Sequence, residues 1–355
     1  MRKLIINLRG GTGNQLFQAA AAASLANIYE KDCYFYKDDI HKDKYKRNLE
    51  ITDILMNLKI QENQFKLTKK IIFLNEYDID HPLYFSKKSP LASLNNDIFL
   101  AGNFTNYRIL KPEVVQKIKS TIREIDTVYK LKGIQYFAIH IRELHGSGSN
   151  KIRKKIDNLD IAYYARSIKK ICTNPKLSKI KNAIVFSDMF KNPESSILLP
   201  QIKNLLSSKG INYINGDNYI SSTLDILNIF SFAKSSIISN SSLSWWGAYL
   251  SDGLVYCPVM NLWEPDIKVP DKWEQIYGDE ICPNTHHRSN KTIFDTSIKI
   301  NETIDLRIYT RNRLTFIKIF YILICKIYDL LKINYIVKFL HYFGFVSYNP
   351  HKTYH

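Results

Sequence analysis

The chain has 355 residues, 45% of them hydrophobic and 23% charged, which allows two domains and excludes both a disordered chain and an integral membrane protein. A formal net charge of +17 favours anionic partners: nucleic acid, a phosphate-bearing ligand or an anionic membrane surface. No RNA-recognition signature, paired zinc motif or heptad-linked basic region accompanies that excess, so the expectation is no nucleic-acid partner; a merely lysine-rich coding style is the plainer alternative.

Five scattered cysteines (Cys33, Cys172, Cys257, Cys282, Cys325) without a Cys-x-x-Cys pair point to a reducing compartment, with no disulfide framework and no zinc site. The apolar run Leu4 to Leu8 is too short for a signal-peptide core, and no stretch approaches the length needed to span a bilayer. A cytoplasmic protein is the expectation.

In chain order, residues 2–8 alternate as a strand, and Arg9-Gly10-Gly11-Thr12-Gly13-Asn14-Gln15-Leu16-Phe17-Gln18 then turns into an alanine-rich helix reaching about Tyr29. As a dinucleotide fingerprint this is poor, because Leu16 takes the place of the third glycine. The glycines of Gly11-x-Gly13 still require backbone to pass close to something. The uncharged amides of Asn14 and Gln15 suit a polyhydroxylated ligand or an orienting role, and Asn14 as a simple helix N-cap is the bland alternative.

Residues 38–93 are lysine-rich, aromatic and weakly periodic, with short helical stretches expected over 51–58 and 64–74; they read as an insertion or acceptor-side region. A strand is expected over 97–101 and a helix from Pro112 to about Ile125. A domain boundary falls near residue 130. Beyond it strands and helices alternate: strands over 136–141, 183–187, 211–214, 235–239 and 254–257, with helices over 160–171, 195–206, 222–232 and 242–250 between them. Such alternation predicts a parallel sheet covered on both faces, with ligands at the carboxyl ends of its strands.

Three of those ends carry polar signatures: His140-Ile141-Arg142, Phe186-Ser187-Asp188 and Ser239-Asn240-Ser241-Ser242. Arg142 is a permanently charged fork suited to a pyrophosphate, and the serines at a helix start add neutral donors to the unpaired N–H groups there. Asp188 can accept paired N–H bonds from a purine edge, or simply cap the next helix. His140 is either a satisfied core residue or part of the site. For residues 239–250 the bland reading is a capped helix with Trp245 and Trp246 in the core.

Together these stretches resemble the α-1,2-fucosyltransferases of glycosyltransferase family 11 and, more distantly, the protein O-fucosyltransferases and α-1,6-fucosyltransferases. The resemblance rests on the Gly-Gly-Thr-Gly-Asn-Gln-Leu-Phe-Gln stretch, His140-x-Arg142, Phe186-Ser187-Asp188 and Ser239-Asn240-Ser241-Ser242-x-Ser244-Trp245-Trp246-Gly247-Ala248, and extends from residue 4 to about 258. It implies an α/β, GT-B-like architecture of two facing Rossmann-like domains, here residues 1–130 on the acceptor side and 131–283 on the nucleotide-sugar side, followed by a connector and C-terminal helices over 284–355. It implies inverting, metal-independent transfer of L-fucose from GDP-fucose to a galactoside-type hydroxyl, O2 by the family's habit, in surface polysaccharide synthesis. No cofactor is needed, GDP-fucose being the donor substrate.

By the same resemblance Arg142 neutralises the departing diphosphate and Asn14 orients the reacting groups. Gly11, Gly13, His140, Asp188, Asn240, Ser241 and Ser242 complete the nucleotide-sugar site. Where the family reads His-x-Arg-Arg-Gly-Asp, this chain reads His140-Ile141-Arg142-Glu143-Leu144-His145. Another GDP-deoxysugar as donor, or an inactive sugar-binding homologue, is therefore the alternative. Glu143 is a candidate general base by proximity, and His145 a partial replacement for the lost polar groups. No Asp-x-Asp motif stands where a divalent ion would sit beside the phosphates.

Residues 314–331 form an apolar helical pattern in which Lys318, Lys326, Asp329 and Lys332 share one sector, followed by a shorter helix over 335–343. The pattern fits a helix lying in an anionic membrane interface, and the alternative is a helix packed across both domains. The expectation is a peripheral enzyme on the inner face of the plasma membrane, acting on an oligosaccharide or lipid-linked glycan.

Overall fold

The structure is a computed structural model. It describes residues 3–36, 48–62, 71–75, 96–143, 159–188, 196–258 and 269–276, with short pieces at 85–87, 89, 91–92 and 278. The connector and C-terminal helices expected after residue 283, and His145, lie outside the described residues.

The first unit holds strands β1 (Lys3–Asn7), β2 (Asp32–Tyr36), β3 (Gln61–Glu62), β4 (Ile71–Asn75) and β5 (Asp97–Ala101), with helices α1 (Thr12–Tyr29), α2 (Thr52–Asn57) and α3 (Pro112–Arg123). Its sheet runs β3-β2-β1-β5-β4, with every pair parallel. Three elements depart from expectation, among them the two-residue strand β3, which exists by pairing with β2. Residues 71–75 are an edge strand beside β5 rather than the end of a helix over 64–74, because their apolar run pairs residue for residue with 97–101. The strand β2 carries a Cys-Tyr-Phe-Tyr text whose period is too mixed to announce it, and pairing with β1 makes it a strand.

The second unit holds β6 (Phe137–Ile141), α4 (Ile161–Thr173), β7 (Asn182–Ser187), α5 (Leu198–Ser208), β8 (Asn212–Asn215), α6 (Thr223–Phe232), β9 (Ser235–Ile237), α7 (Ser242–Tyr249), β10 (Leu254–Pro258) and β11 (Glu274–Ile276). The order β11-β10-β9-β6-β7-β8 is again wholly parallel. From β6 the chain steps outward through β7 and β8, then returns to the other side of β6 as β9. The strand order therefore reverses between β6 and β9, the place where open α/β sheets open a crevice for ligands.

Both units are Rossmann-like and face each other in a GT-B-like arrangement. The N-terminus of α1, at the carboxyl end of β1, lies against the N-terminus of α7, at the carboxyl end of β9. Phe17 of α1 packs against both Trp245 and Trp246 of α7, with ring centroids 4.6 and 5.1 Å away. One continuous apolar core accordingly runs through both units, from Leu4 and Ile98 to Phe230 and Trp246.

Polar ties reinforce that junction. Asn228 of α6 donates from Nδ2 to the Ile122 carbonyl (2.7 Å) and accepts from the Val128 N–H (3.1 Å). Arg123 donates to the Ser231 carbonyl (2.8 Å), and with Lys119 it pairs with Asp252.

Candidate functional site

The carboxyl ends of β6, β7 and β9 place the three polar signatures side by side. His140 pairs in register with Phe186, and Ile139 with Ile237, so Arg142, Asp188 and the turn 239–241 leave adjacent strands. Arg142 donates from Nη1 to the Asn240 carbonyl at 3.1 Å, which fixes a permanent positive charge at the start of α7. His140 Nδ1 and Ser239 Oγ share a hydrogen bond of 2.6 Å beneath that turn. Burial, with the Arg142 charge adding to it, pushes the His140 imidazole down to about 3. The ring is therefore neutral at physiological pH and serves as a hydrogen-bonding post rather than a charge.

The start of α7 has open donors. Ser241 is its N-cap in extended conformation, yet makes no side-chain capping bond. Ser241 and Ser242 are half-buried, and among the described residues no hydrogen bond engages their hydroxyls. Asn240 is buried with its Nδ2 unpartnered. The first N–H groups of an uncapped helix carry partial positive charge, so Arg142 and this turn together present a positive surface of the kind that suits an anion. The alternative of a capped helix with core tryptophans holds for Trp245 and Trp246, which are buried, and does not hold for the cap.

Asp188 accepts the Glu143 N–H at 3.0 Å. Asp188 is an exposed residue, yet partial desolvation raises its pKa, against the lowering by that N–H and by Arg142. Glu143 is not available as a base. It is buried, one oxygen accepts the N–H groups of Ile197 (2.8 Å) and Leu198 (3.2 Å), and the other accepts the Ser196 hydroxyl. The carboxylate that departs from the family pattern is thus a long-range cap for α5, favoured there by the helix dipole.

On the facing side, Gly13 approaches protein backbone. A Cβ there would lie 2.4 Å from the Leu243 nitrogen and from the Ser242 carbonyl carbon. Its missing side chain thus lets α1 wedge against α7. Gly11 is the N-cap of α1, so Asn14 is not a cap; it sits in the first turn, half-buried. Gly10, at φ +74°, turns left-handed beside the Asn14 amide.

Gln15 departs from the ligand-facing role. It is fully buried, donating to the carbonyls of Gly10 and Asn48, both at 3.0 Å. Gln18 does the same work between strand ends, donating to the Gly102 carbonyl and accepting the Arg9 N–H.

Tyr163 and Tyr164 of α4 were not legible as part of this region. The single O–H of Tyr163 is shared between the Ile238 carbonyl (2.6 Å) and the Tyr256 carbonyl (3.1 Å), and Tyr164 donates to the His140 carbonyl (3.2 Å), bracing the ends of β6 and β9. Adjacent tyrosines in the first turn of a helix whose N-cap, Asp160, precedes them were the available signal.

A cavity of about 560 Å³ opens elsewhere, lined by Asn27, Lys31, Lys59, Glu113 and Lys117 at the amino ends of β2 and β3, the wrong end for a ligand of such sheets. Among the described residues no group of His, Cys, Asp or Glu side chains is arranged to hold a metal ion. Among them, too, no helix is long and apolar enough to cross a membrane.

No family model matches the chain, and no curated protein matches it in sequence. Solved structures do resemble its fold. POFUT1 in complex with GDP-fucose aligns at 11% identity over 78% of this chain and 98% of its own, with a TM-score of 0.46. The α-1,6-fucosyltransferase NodZ co-crystallised with GDP, a protein whose structure is also solved from Bradyrhizobium, aligns at 13% identity over 70% and 92%, with a TM-score of 0.42. An Arabidopsis thaliana FUT1 mutant in complex with GDP aligns at 10% identity over 78% and 73%, with a TM-score of 0.41.

Proposed function

We propose that the chain is an inverting glycosyltransferase that uses a GDP-sugar, GDP-fucose by its motifs, and passes the sugar to a hydroxyl of a galactoside-type acceptor without a metal ion. The observation that carries this reading is the hydrogen bond from Arg142 to the Asn240 carbonyl, which seats a guanidinium against the uncapped start of α7 at the strand-order reversal. As the glycosidic carbon departs from the diphosphate, negative charge grows on the leaving oxygens. Fixed N–H donors and a fixed cation then stabilise the transition state more than the ground state. The carboxyl end of Asp188, on the neighbouring strand, is suited to the N–H edge of guanine.

The test is transfer from GDP-fucose to a disaccharide panel, read by mass, beside calorimetric titration with GDP. Arg142→Ala is expected to lower kcat about 10²–10³-fold while the protein stays folded. Near-normal turnover in that variant, or turnover abolished by a chelator, overturns the reading. Transfer from a different GDP-deoxysugar replaces the donor and keeps the mechanism.

A further inference from the structure

Glu50 belongs to none of the motifs above, yet it lies where the two units meet. Its Oε2 accepts the Thr12 hydroxyl at 2.5 Å and the Thr223 hydroxyl as well, and those two hydroxyls are 2.8 Å apart. Thr12 is the first residue of α1 and Thr223 the first of α6, so the carboxylate sits before two helix N-termini, one from each unit. Its backbone is anchored from beneath, the Glu50 N–H donating to the buried Gln15 Oε1 at 3.4 Å. Thr12 adjoins Gly13, whose α-carbon rests on Ser242. The carboxylate is thus a near neighbour of the anion cradle, on the unit opposite it.

Two further features mark it as more than a latch. Glu50 is exposed, and among the described residues only its Oε2 takes side-chain partners, which leaves Oε1 for a solvent-borne group. The alternative carboxylate on the sequence, Glu143, is buried with both oxygens occupied.

Building on the proposed transfer reaction, we propose that Glu50 is its general base and the anchor of the acceptor hydroxyl. The acceptor O–H donates to Glu50 Oε1. As the acceptor oxygen forms its bond to the anomeric carbon, the bond from that carbon to the diphosphate oxygen breaks and its electron pair leaves on GDP. The acceptor proton passes to Glu50 Oε1 and from there to water. Thr12 and Thr223 hold Oε2 so that the carboxylate has one orientation, the preorganisation a positioned base requires.

Glu50→Gln tests this, because the amide oxygen still accepts from both threonines while the proton acceptor is gone. Its kcat is expected to fall about 10²–10⁴-fold, with GDP affinity and thermal midpoint unchanged, and the acidic limb of the kcat–pH profile to disappear. Near wild-type kcat with an intact acidic limb overturns the proposal. A fall in kcat matched by losses in GDP affinity and thermal midpoint overturns it too, in favour of a purely structural latch. A wild-type protein that binds no GDP-sugar defeats the transfer reading itself, a result distinct from either.

Discussion

At the β1–α1 junction the polar side chains turn inward. Gln15 and Gln18 are fully buried and hold five backbone groups between them, and Gly13 gives up its side chain so that α7 can approach. At the β9–α7 junction Ser241 leaves its own helix uncapped, the Ser241 and Ser242 hydroxyls take no partner among the described residues, and Arg142 is brought up against the turn. Both are a strand, a tight turn and a helix start, and both read from sequence as ligand cradles. Their contrast teaches that a helix N-terminus is available to a ligand only where its orphan donors are left without protein partners.

The largest effect expected on this contrast comes from Gly13→Ala. The added Cβ would meet main-chain atoms of Ser242 and Leu243, which cannot swing aside as a side chain would. Overpacking of that kind costs about 3 kcal/mol, the upper end of its range. A denaturant midpoint measures it. If Gly13 instead served a ligand, stability would hold and only GDP affinity would fall.

The floor of the open junction carries a pH dependence. His140 titrates near 6.5 when unfolded and near 3 when folded, so below pH 6.5 the unfolded chain binds a proton that the folded chain refuses. Stability present above pH 6.5 is therefore lost as pH falls toward 3, by about 1.4 kcal/mol per pH unit from this group. Against His140→Asn, which has no such proton to bind, the wild-type stability curve is expected to be steeper over that window. Parallel curves would mean that the imidazole is not held neutral.

How far the sequence disclosed all this follows from the range of each interaction. The alternation beyond residue 133 and the strand at Asp97–Ala101 were legible because a buried parallel strand and an amphipathic helix write their periods locally. The reversal between β6 and β9 follows from that alternation, and it brings His140, Arg142, Asp188 and Ser239 onto neighbouring strand ends. What stayed hidden lies in distant partners. Gln15 finds Asn48, Glu143 finds the α5 start at Ile197, and Glu50 finds Thr223, none of them marked by any local pattern. The β4 strand was misread as helix because five apolar-rich residues carry too little period, and pairing with β5 decides them.

The smallest effect separates two serines that look alike in sequence. Ser222 caps α6 in a full capping box: its hydroxyl accepts the Asp225 N–H while Asp225 accepts the Ser222 N–H at 2.7 Å. Ser241 stands at the same position of α7 and makes no such bond. Ser222→Ala is therefore expected to cost about 1 kcal/mol, and Ser241→Ala to fall within about 0.5 kcal/mol of wild type. Titration with GDP should reverse the order, Ser241→Ala weakening binding and Ser222→Ala leaving it unchanged. Equal stability losses in the two variants would show that Ser241 caps its helix in solution, and the donors assigned to a diphosphate would then already be occupied by the protein.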